Sequence, residues 1–575
     1  MAYRIRFGLP EEKVPSTYCK NFSYSEEKTT YDTDKIHFEV NARGCLLEFP
    51  IREKERFYGL GLQLKAFELT SKKFVTRVNA DPVSATGDSH APVPFFVSTL
   101  GYGIYFDTAR YVEFEFGRKK KDSESGKSIA VSAVKTSAEE LYATREVGQN
   151  AVVSVQIPAA KGIDIYIFEG ENITDVVGQY NMLAGGGCVI PDWGLGTYYR
   201  CYGPADQEKV ENIIRYFKEN DMPLSVVGLE PGWQTAAYPC SFIWNKALFP
   251  NPEKFVKNVY AQGLHLNLWQ HAFVDATSDM YADLRKYSGN YTVWNGLVPD
   301  FADEKARKIF ADYHKKAVVF GLIDGFKLDE CDGSDYTGGW TFPLCSSFPS
   351  GVDGEQYHSL FGTLYMQTIL KALGGQPTYS SVRNAGALAS SYPFVLYSDL
   401  YEYNDFLRGL CTCGLSGLLW TPEVRHADTA EEFLKRLQMT VFSPQCLING
   451  WYCEELPFIK FGIEKEVRLW LKEREKLKPR LKKAFELYQT TGKAVVRPLV
   501  SDYSDDEETF GIDTEYLLGE DLLVAPAFLG ESEREIYLPE GKWRDYFTGE
   551  MVESGRRTVA TNKIAVFEKM IFAID

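Results

Sequence analysis

Apolar residues recur at every second position through much of the first 185 residues. Segments 36–40, 46–49, 151–157 and 163–168 alternate apolar with polar side chains, and 57–63 and 94–106 add aromatic and β-branched runs. That period predicts strands, and the turn residues between them fall at the spacing of a β-sandwich. Near residue 186 the texture changes to strand-like runs alternating with helical ones. Eight strand candidates follow: 196–200, 224–230, 264–270, 322–329, 377–383, 393–400, 417–423 and 445–451. Helical periodicity fills 206–220, 252–262, 303–319 and 354–373 between them. Repeated strand–helix alternation predicts a parallel sheet, and eight units predict a closed (β/α)8 barrel. The competing open, doubly wound sheet lacks a Gly-rich phosphate fingerprint after any strand. A charged helix at 464–487 leads into a second β region, with strands predicted at 493–497, 521–525, 535–538 and 564–567. The expected organisation is multidomain: a β-sandwich at 1–185, a barrel at 186–485 and a C-terminal β-domain at 486–575.

Segment 322–332, LIDGFKLDECD, is the stretch around which the rest is organised. Phe326 and Leu328 alternate with Lys327 and Asp329, so a strand runs directly into a carboxylate cluster. Barrels carry their chemistry at the C-terminal ends of strands. Asp329 is therefore the expected reacting carboxylate, against the plain alternative of a solvated acidic turn. The other strand ends are polar as well. They carry Arg200, Glu230 with Trp233, Asn267 with Trp269 and Gln270, Glu330 and Asp332 beside Asp329, Arg383, Asp399, Glu423 with Arg425 and His426, and Asn449 with Trp451. Two carboxylates from different strands suit a nucleophile and a general acid/base acting on an acetal. Trp and Tyr rings can stack on a sugar, and Asn, Gln, Arg and His can bind its hydroxyls. There is no HExxH, Cys/His cluster or GxSxG, which leaves zinc and acyl-transfer chemistry without support. A magnesium-dependent phosphoesterase has acidic residues available but no phosphate cradle.

Composition narrows the partners. A net charge of −16 argues against nucleic acid and anionic membrane surfaces. The one strong basic run, 118–121, meets Asp122 and Glu124 at once and reads as a solvated hairpin turn. No segment has the pattern of a signal peptide or a membrane span. With no export signal, the eleven scattered cysteines read as reduced thiols of a cytoplasmic protein. The close pair Cys411 and Cys413 reads as small buried hydrophobes rather than metal ligands. The expected partner is a small-molecule or oligosaccharide substrate, with no cofactor and no metal; a homo-oligomer is left open. Aromatics at 14% suit sugar faces and large cores equally.

Most of the chain resembles glycoside hydrolase family 31, the retaining α-glycosidases. Phe57-Tyr-Gly-Leu-Gly61 is similar to the family's N-terminal sandwich motif, and Gly325-Phe-Lys-Leu-Asp-Glu330 to its nucleophile strand. Arg383, then Tyr397-Ser-Asp-Leu400 with Asn404 and Phe406, resembles the acid/base segment, although members usually show Gly-Asp-Asn at 398–400. Segments 516–526 and 536–546 resemble the C-terminal β region. The resemblance implies a sandwich, a (β/α)8 barrel and C-terminal β-domains. It implies that Asp329 attacks the anomeric carbon, that Asp399 serves as acid/base and that Arg383 binds a ring hydroxyl. Gly228-Leu-Glu-Pro-Gly-Trp233 replaces the family's Asp-Ile-Asp-Tyr type motif, and its late Arg-Asn-His motif is absent. With Trp340, these departures look most like the family's bacterial α-galactosidases. The expected activity is retaining exo-hydrolysis of α-galactosides, with α-glucosides as the second reading. A catalytically inactive sugar-binding protein is the reading from another class. The candidate sugar contacts beside Asp329 and Asp399 are Arg383, Glu230, Trp233, Trp269, Glu330, Trp340 and Asn449.

Overall fold

The structure, a computed structural model, describes residues 2–26, 28–80, 82–119, 151–334 and 338–570. Two five-stranded antiparallel sheets form the N-terminal region. One runs Tyr3–Leu9, Lys161–Glu169, Tyr102–Phe106, Pro92–Ser98, Phe57–Gly61; the other runs His37–Asn41, Gly44–Pro50, Ala151–Pro158, Glu113–Lys119, Lys73–Val75. Their inward positions are heavily aromatic. Phe96 has Phe49, Phe57, Phe106, Phe114 and Phe116 around it, with ring centroids 5.6–6.4 Å away. Much of the chain's aromatic content is thus core packing. The turn expected at 118–121 and its acidic flank lie largely outside the described residues.

The stretch read as wholly β also holds a helix, Ile173–Leu183. Its β-branched start, Ile173-Thr-Asp-Val-Val, hides it from a propensity reading. Asn172 caps it by accepting from the Asp175 amide, and its buried face carries Ile173, Val176, Val177, Tyr180 and Leu183.

The middle of the chain curls into a parallel sheet. Its strands are β1 Thr197–Arg200, β2 Val226–Leu229, β3 His265–His271, β4 Gly325–Asp329, β5 Ser380–Val382, β6 Phe394–Leu396 and β7 Cys446–Asn449. The order is β6-β5-β4-β3-β2-β1-β7. Eight strands were expected and seven have a ladder. The remaining position is taken by segment 419–424, an extended stave rather than a strand. On one side Leu396 N donates to Leu419 O and Thr421 N to Leu396 O; on the other Val424 N donates to Leu447 O and Asn449 N to Val424 O. Pro422 in its middle offers no N–H to a ladder. The stave still bridges β6 to β7, so the sheet closes.

Helices α1 Gln207–Glu219, α2 Pro252–Tyr260, α3 Glu304–His314, α4 Gly354–Leu373, α5 Tyr403–Cys413 and α6 Ala430–Val441 lie between strands, and α7 Glu464–Thr491 follows. Asp206, Asn251, Asp303, Asp353 and Thr429 each cap the helix they precede, Asp353 in a full capping box with Gln356. The C-terminal region has a six-stranded antiparallel sheet and a separate two-stranded pair, Glu533–Leu538 with Gly555–Ala560. Among the described residues no helix is long and apolar enough to cross a membrane. All eleven cysteines are free thiols.

Candidate active site

Strand alternation decides which side chains reach the barrel interior. On β3, Asn267 and Trp269 face inward, while Gln270 turns to the helix layer and bonds the Tyr365 hydroxyl on α4 at 2.9 Å. Gln270 is therefore removed from the set of hydroxyl binders. On β4, Lys327 and Asp329 share the inner face, and register pairs Asp329 with His271.

Asp329 ends β4 with both oxygens engaged. Trp269 Nε1 donates to Oδ2 at 2.6 Å, and the Glu330 amide donates to Oδ1 at 2.9 Å. Glu330 has φ 52°, a left-handed conformation that non-glycine residues rarely take. This sharp turn brings its amide back to the preceding carboxylate. Burial pushes Asp329 upward in pKa and Asp399 adds to that, while Lys327 and Arg383 oppose it.

Arg383 follows β5 and is the hub. Its Nε donates to Asp332 Oδ2 at 2.9 Å, and its Nη2 lies 2.9 Å from the same oxygen. Its Nη1 lies 2.5 Å from Asp399 Oδ2 and 3.9 Å from Asp329 Oδ1. One nitrogen thus faces both candidate carboxylates, which can be no further apart than those two distances laid end to end. For those two oxygens the limit accommodates the ~5–5.5 Å separation of retaining glycosidases. Asp399 is 57% exposed at its side chain, at the mouth, whereas Asp329 is buried. Partial desolvation at the mouth would raise Asp399, but Arg383, Lys327 and Arg425 outweigh it and hold the carboxyl well below its usual range. Arg425 also fixes the loop that carries Asp399, donating to the carbonyls of Ser398, Asp399 and Leu400 at 2.9–3.2 Å.

A third carboxyl faces the same space. Glu330 accepts from the Tyr238 hydroxyl at 3.2 Å. Burial, and then the charge of Asp329, push it up to about 8. Asp329 is raised by burial as well, so Glu330 and Asp329 titrate together as a coupled group rather than one by one.

Several expected sugar contacts are occupied within the protein. Glu230 is buried between Arg200, which bonds it directly, and Lys327, whose Nζ is 3.4 Å from both of its oxygens. Arg200 also bonds Asn267 Oδ1 at 2.8 Å. Trp233 is only 1% exposed; its indole donates to the Trp269 carbonyl at 2.6 Å and its ring meets Trp244 edge-on. Asn449 donates to Glu423 at 2.9 Å, and Glu423 pairs with Arg425. Trp340 stands exposed on the loop after β4, and Trp451 and Tyr452 are part-exposed after β7. Asp405 is tied to Lys65 and Arg408.

The sequence reading assigned no site role to Lys327, Tyr397, Tyr238 or His90. Lys327 was discoverable, because it lies two residues before Asp329 on the same strand and so on the same face. It sits 5.0 Å from the centre of the Tyr397 ring, which Arg383 also approaches at 5.6 Å. His90 comes from a loop of the N-terminal region, and no local pattern announces it. Among the described residues no cluster of His, Cys, Asp and Glu is arranged to hold a metal ion.

The family comparisons agree with this architecture. The glycosyl hydrolase family 31 TIM-barrel domain matches residues 188–483, the family's C-terminal domain matches 492–570, and its N-terminal galactose mutarotase-like domain matches 5–115. The chain belongs to glycosyl hydrolase family 31. It is 23% identical over 93% of its length to an alpha-xylosidase of Saccharolobus solfataricus and 24% identical over 88% to Alpha-glucosidase 2 of Bacillus thermoamyloliquefaciens. It spans 70% and 65% of those relatives. Among solved structures, a Flavobacterium johnsoniae dextranase complexed with glucose has the same fold, with a TM-score of 0.78 at 21% identity over 92% of this chain and 67% of its own. A soil-metagenome alpha-xylosidase complexed with xylose gives 0.77 at 19%, over 93% of this chain and 81% of its own.

Proposed function

We propose that the protein hydrolyses terminal α-glycosidic bonds by double displacement, with Asp329 as nucleophile and Asp399 as acid/base. The observation that carries this reading is the single Arg383 nitrogen that faces both carboxyls and so brings them to one side of the same guanidinium. Asp329 attacks the anomeric carbon from the barrel floor. Trp269 and the Glu330 amide aim its oxygens, while Lys327 and Arg383 favour its ionised form. Asp399, at the mouth, protonates the departing oxygen and then takes a proton from water. Binding of a sugar beside Arg383 and Asp399 draws the shared proton toward Asp399, where the first step needs it.

The substrate reading moves away from galactose. The galactoside expectation rested on the Glu230–Trp233 motif, the missing late motif and Trp340; Trp233 is bonded to the Trp269 carbonyl and Glu230 is held by Arg200 and Lys327, which weighs against their reading O4. The relatives named above act on xylosides and glucosides. We favour a glucose- or xylose-configured substrate, with α-galactosides the second reading on the strength of the altered motif at 228–233. The test is a panel of aryl α-glycosides (xyloside, glucoside, galactoside and N-acetylgalactosaminide) together with a 5-fluoroglycosyl fluoride of the preferred sugar. The expected result is label on Asp329 and loss of turnover in Asp329→Ala. Label on Glu330 or Asp332, or no turnover of any panel member, would overturn the assignment. Asp399→Ala should lose most with poor leaving groups and regain turnover with azide, which needs no general base. Loss that ignores the leaving group, without azide rescue, would remove Asp399 from the role.

A further inference from the structure

His90 precedes strand Pro92–Ser98 of the N-terminal sandwich and is fully buried against the barrel. Its Nδ1 lies 2.8 Å from Asp332 Oδ2, and its Nε2 lies 2.7 Å from Ser398 Oγ. A carboxylate only accepts, so Nδ1 carries a hydrogen toward Asp332. Ser398 Oγ accepts from the Leu400 amide at 3.1 Å, which leaves its own hydrogen for Nε2. The Asn384 side chain pins the His90 carbonyl at 2.7 Å. From Asp332 the path continues through Arg383 to Asp399, and Asp399 is the chain neighbour of Ser398. Three hydrogen bonds, the Arg383–Asp399 ion pair and the chain itself therefore close a ring: Ser398, His90, Asp332, Arg383, Asp399. Every member but one comes from the ends of β4, β5 and β6, and that one comes from another sheet.

We propose that His90 is a positioning residue: it holds Asp399 at the reacting distance from two directions, through the Ser398 loop and through the Asp332–Arg383 pair, without touching the sugar. This rests on the reading of Asp399 as acid/base. His90 keeps Asp332 as a two-sided anchor for Arg383. Without it, Asp332 loses a donor, Ser398 loses its partner, and Arg383 is freer to lean toward Asp329, already 3.9 Å away. A carboxyl displaced by about 1 Å from its proton-transfer position can lose about 10²-fold in rate. The loss should fall on the step that needs the proton.

The test uses two variants of the full chain. His90→Phe keeps the ring volume and opens both contacts; His90→Asn keeps a donor toward Asp332 and gives up Ser398. On the sugar selected by the aryl panel, kcat/KM for a disaccharide or alkyl glycoside should fall about 10–100-fold, less than the ~10²–10⁴ that a general acid contributes. The dinitrophenyl glycoside should change by less than about threefold. Equal losses across leaving groups, or none, would overturn the proposal and mark His90 as a domain-packing residue. If the His90 variants fail to fold, Ser398→Ala opens the same ring elsewhere and should show the same leaving-group split; its absence would count against the proposal. A crystal structure of His90→Phe reports on the inference independently of any substrate. Asp399 moved off Arg383 supports it, and Asp399 unmoved overturns it. The Asp399→Ala and azide measurements test the underlying acid/base reading separately.

Discussion

Single residues in this site divide one proton among several carboxyls. Burial raises both Glu330, to about 8, and Asp329, while the cations around Asp399 hold it well below its usual range. On the proposed mechanism the active state has Asp329 ionised with one proton available to Asp399, so the alkaline limb of kcat/KM reports loss of that last proton from the group as a whole. That limb is expected near pH 8. Glu330→Gln removes one of the two raised carboxyls, and with it a negative charge that acts on Asp399. The limb should then move down by about one pH unit or more, read from a kcat/KM profile on the preferred aryl glycoside; an unmoved limb would take Glu330 out of the shared titration. The positions of the two carboxyls were legible in the sequence because Asp329 ends an apolar strand and Asp399 follows shortly after another, Phe394–Leu396; their roles rest on the proposal above. The partners that set their behaviour were less so. Trp233 and Glu230 look like ligand contacts when only their strand-end position is known, and the structure spends both on neighbours. His90 carries no periodic signal, since a loop from a different sheet delivers it.

At the scale of elements, the barrel is closed from below by a charge that has no carboxylate partner among the described residues. Arg474, fully buried on α7, donates to the carbonyls of Leu195, Val441, Ser443 and Pro444 at 2.6–3.0 Å. Those carbonyls lie just ahead of β1 and β7, the two strands that meet where the chain's barrel begins and ends. The N-terminal face of a barrel serves stability rather than chemistry. Arg474→Met should therefore lower the stability of the folded state by at least about 3 kcal/mol, since several buried acceptors lose a donor worth ~1–3 kcal/mol each. Urea unfolding measures this, and kcat of the variant that remains folded should change little. A midpoint within error of the wild type would refute the role. The sequence showed a charged helix at 464–487 but not which of its many cations turns inward. Barrel strands and their capped helices were readable because apolar period and cap residues coincide at Asp206, Asn251 and Asp303. The Ile173–Leu183 helix was missed because its β-branched residues favour a strand until the sandwich and the following helix bury them.

Across the whole molecule, buried carboxyls set how stability follows pH. Burial pushes Asp107 up to about 6 and Glu515 to about 7, as it does Glu330 to about 8. In the unfolded chain these groups release protons near pH 4. Between that pH and the raised values each of these carboxyls holds more protons folded than unfolded, so their contribution to stability falls as pH rises from about 4 to 8; buried His271 and His314, lowered to about 3, contribute in the opposite sense up to about pH 6.5. Asp502 acts in the opposite sense: burial is outweighed by Arg497, which brings it to about 2, and its contribution is lost only as pH falls from about 4 toward 2. Glu515→Gln is expected to raise the unfolding midpoint relative to wild type at pH 8 and to narrow that gain at pH 5. A gain independent of pH would place the effect elsewhere. The N-terminal and C-terminal regions also meet through hydrogen bonds of their own. The Tyr58 hydroxyl reaches the Phe510 carbonyl at 2.9 Å, and the Asn181 amide reaches the Gly492 carbonyl at 2.7 Å.

The stave at 419–424 gives this cylinder one soft link. Every other neighbour in it is zipped by a ladder, whereas this segment hangs by a pair of amide bonds on each side. Thermal breathing of the wall should begin there, and when it does Glu423 and Arg425 leave the mouth together, releasing the carbonyls around Asp399. The amides of Thr421 and Val424 are accordingly expected to exchange with deuterium ahead of those in β3 and β4. A sugar lodged in the mouth should slow them most of all, which would let the solvent clock at the rim of the barrel register occupancy at its floor.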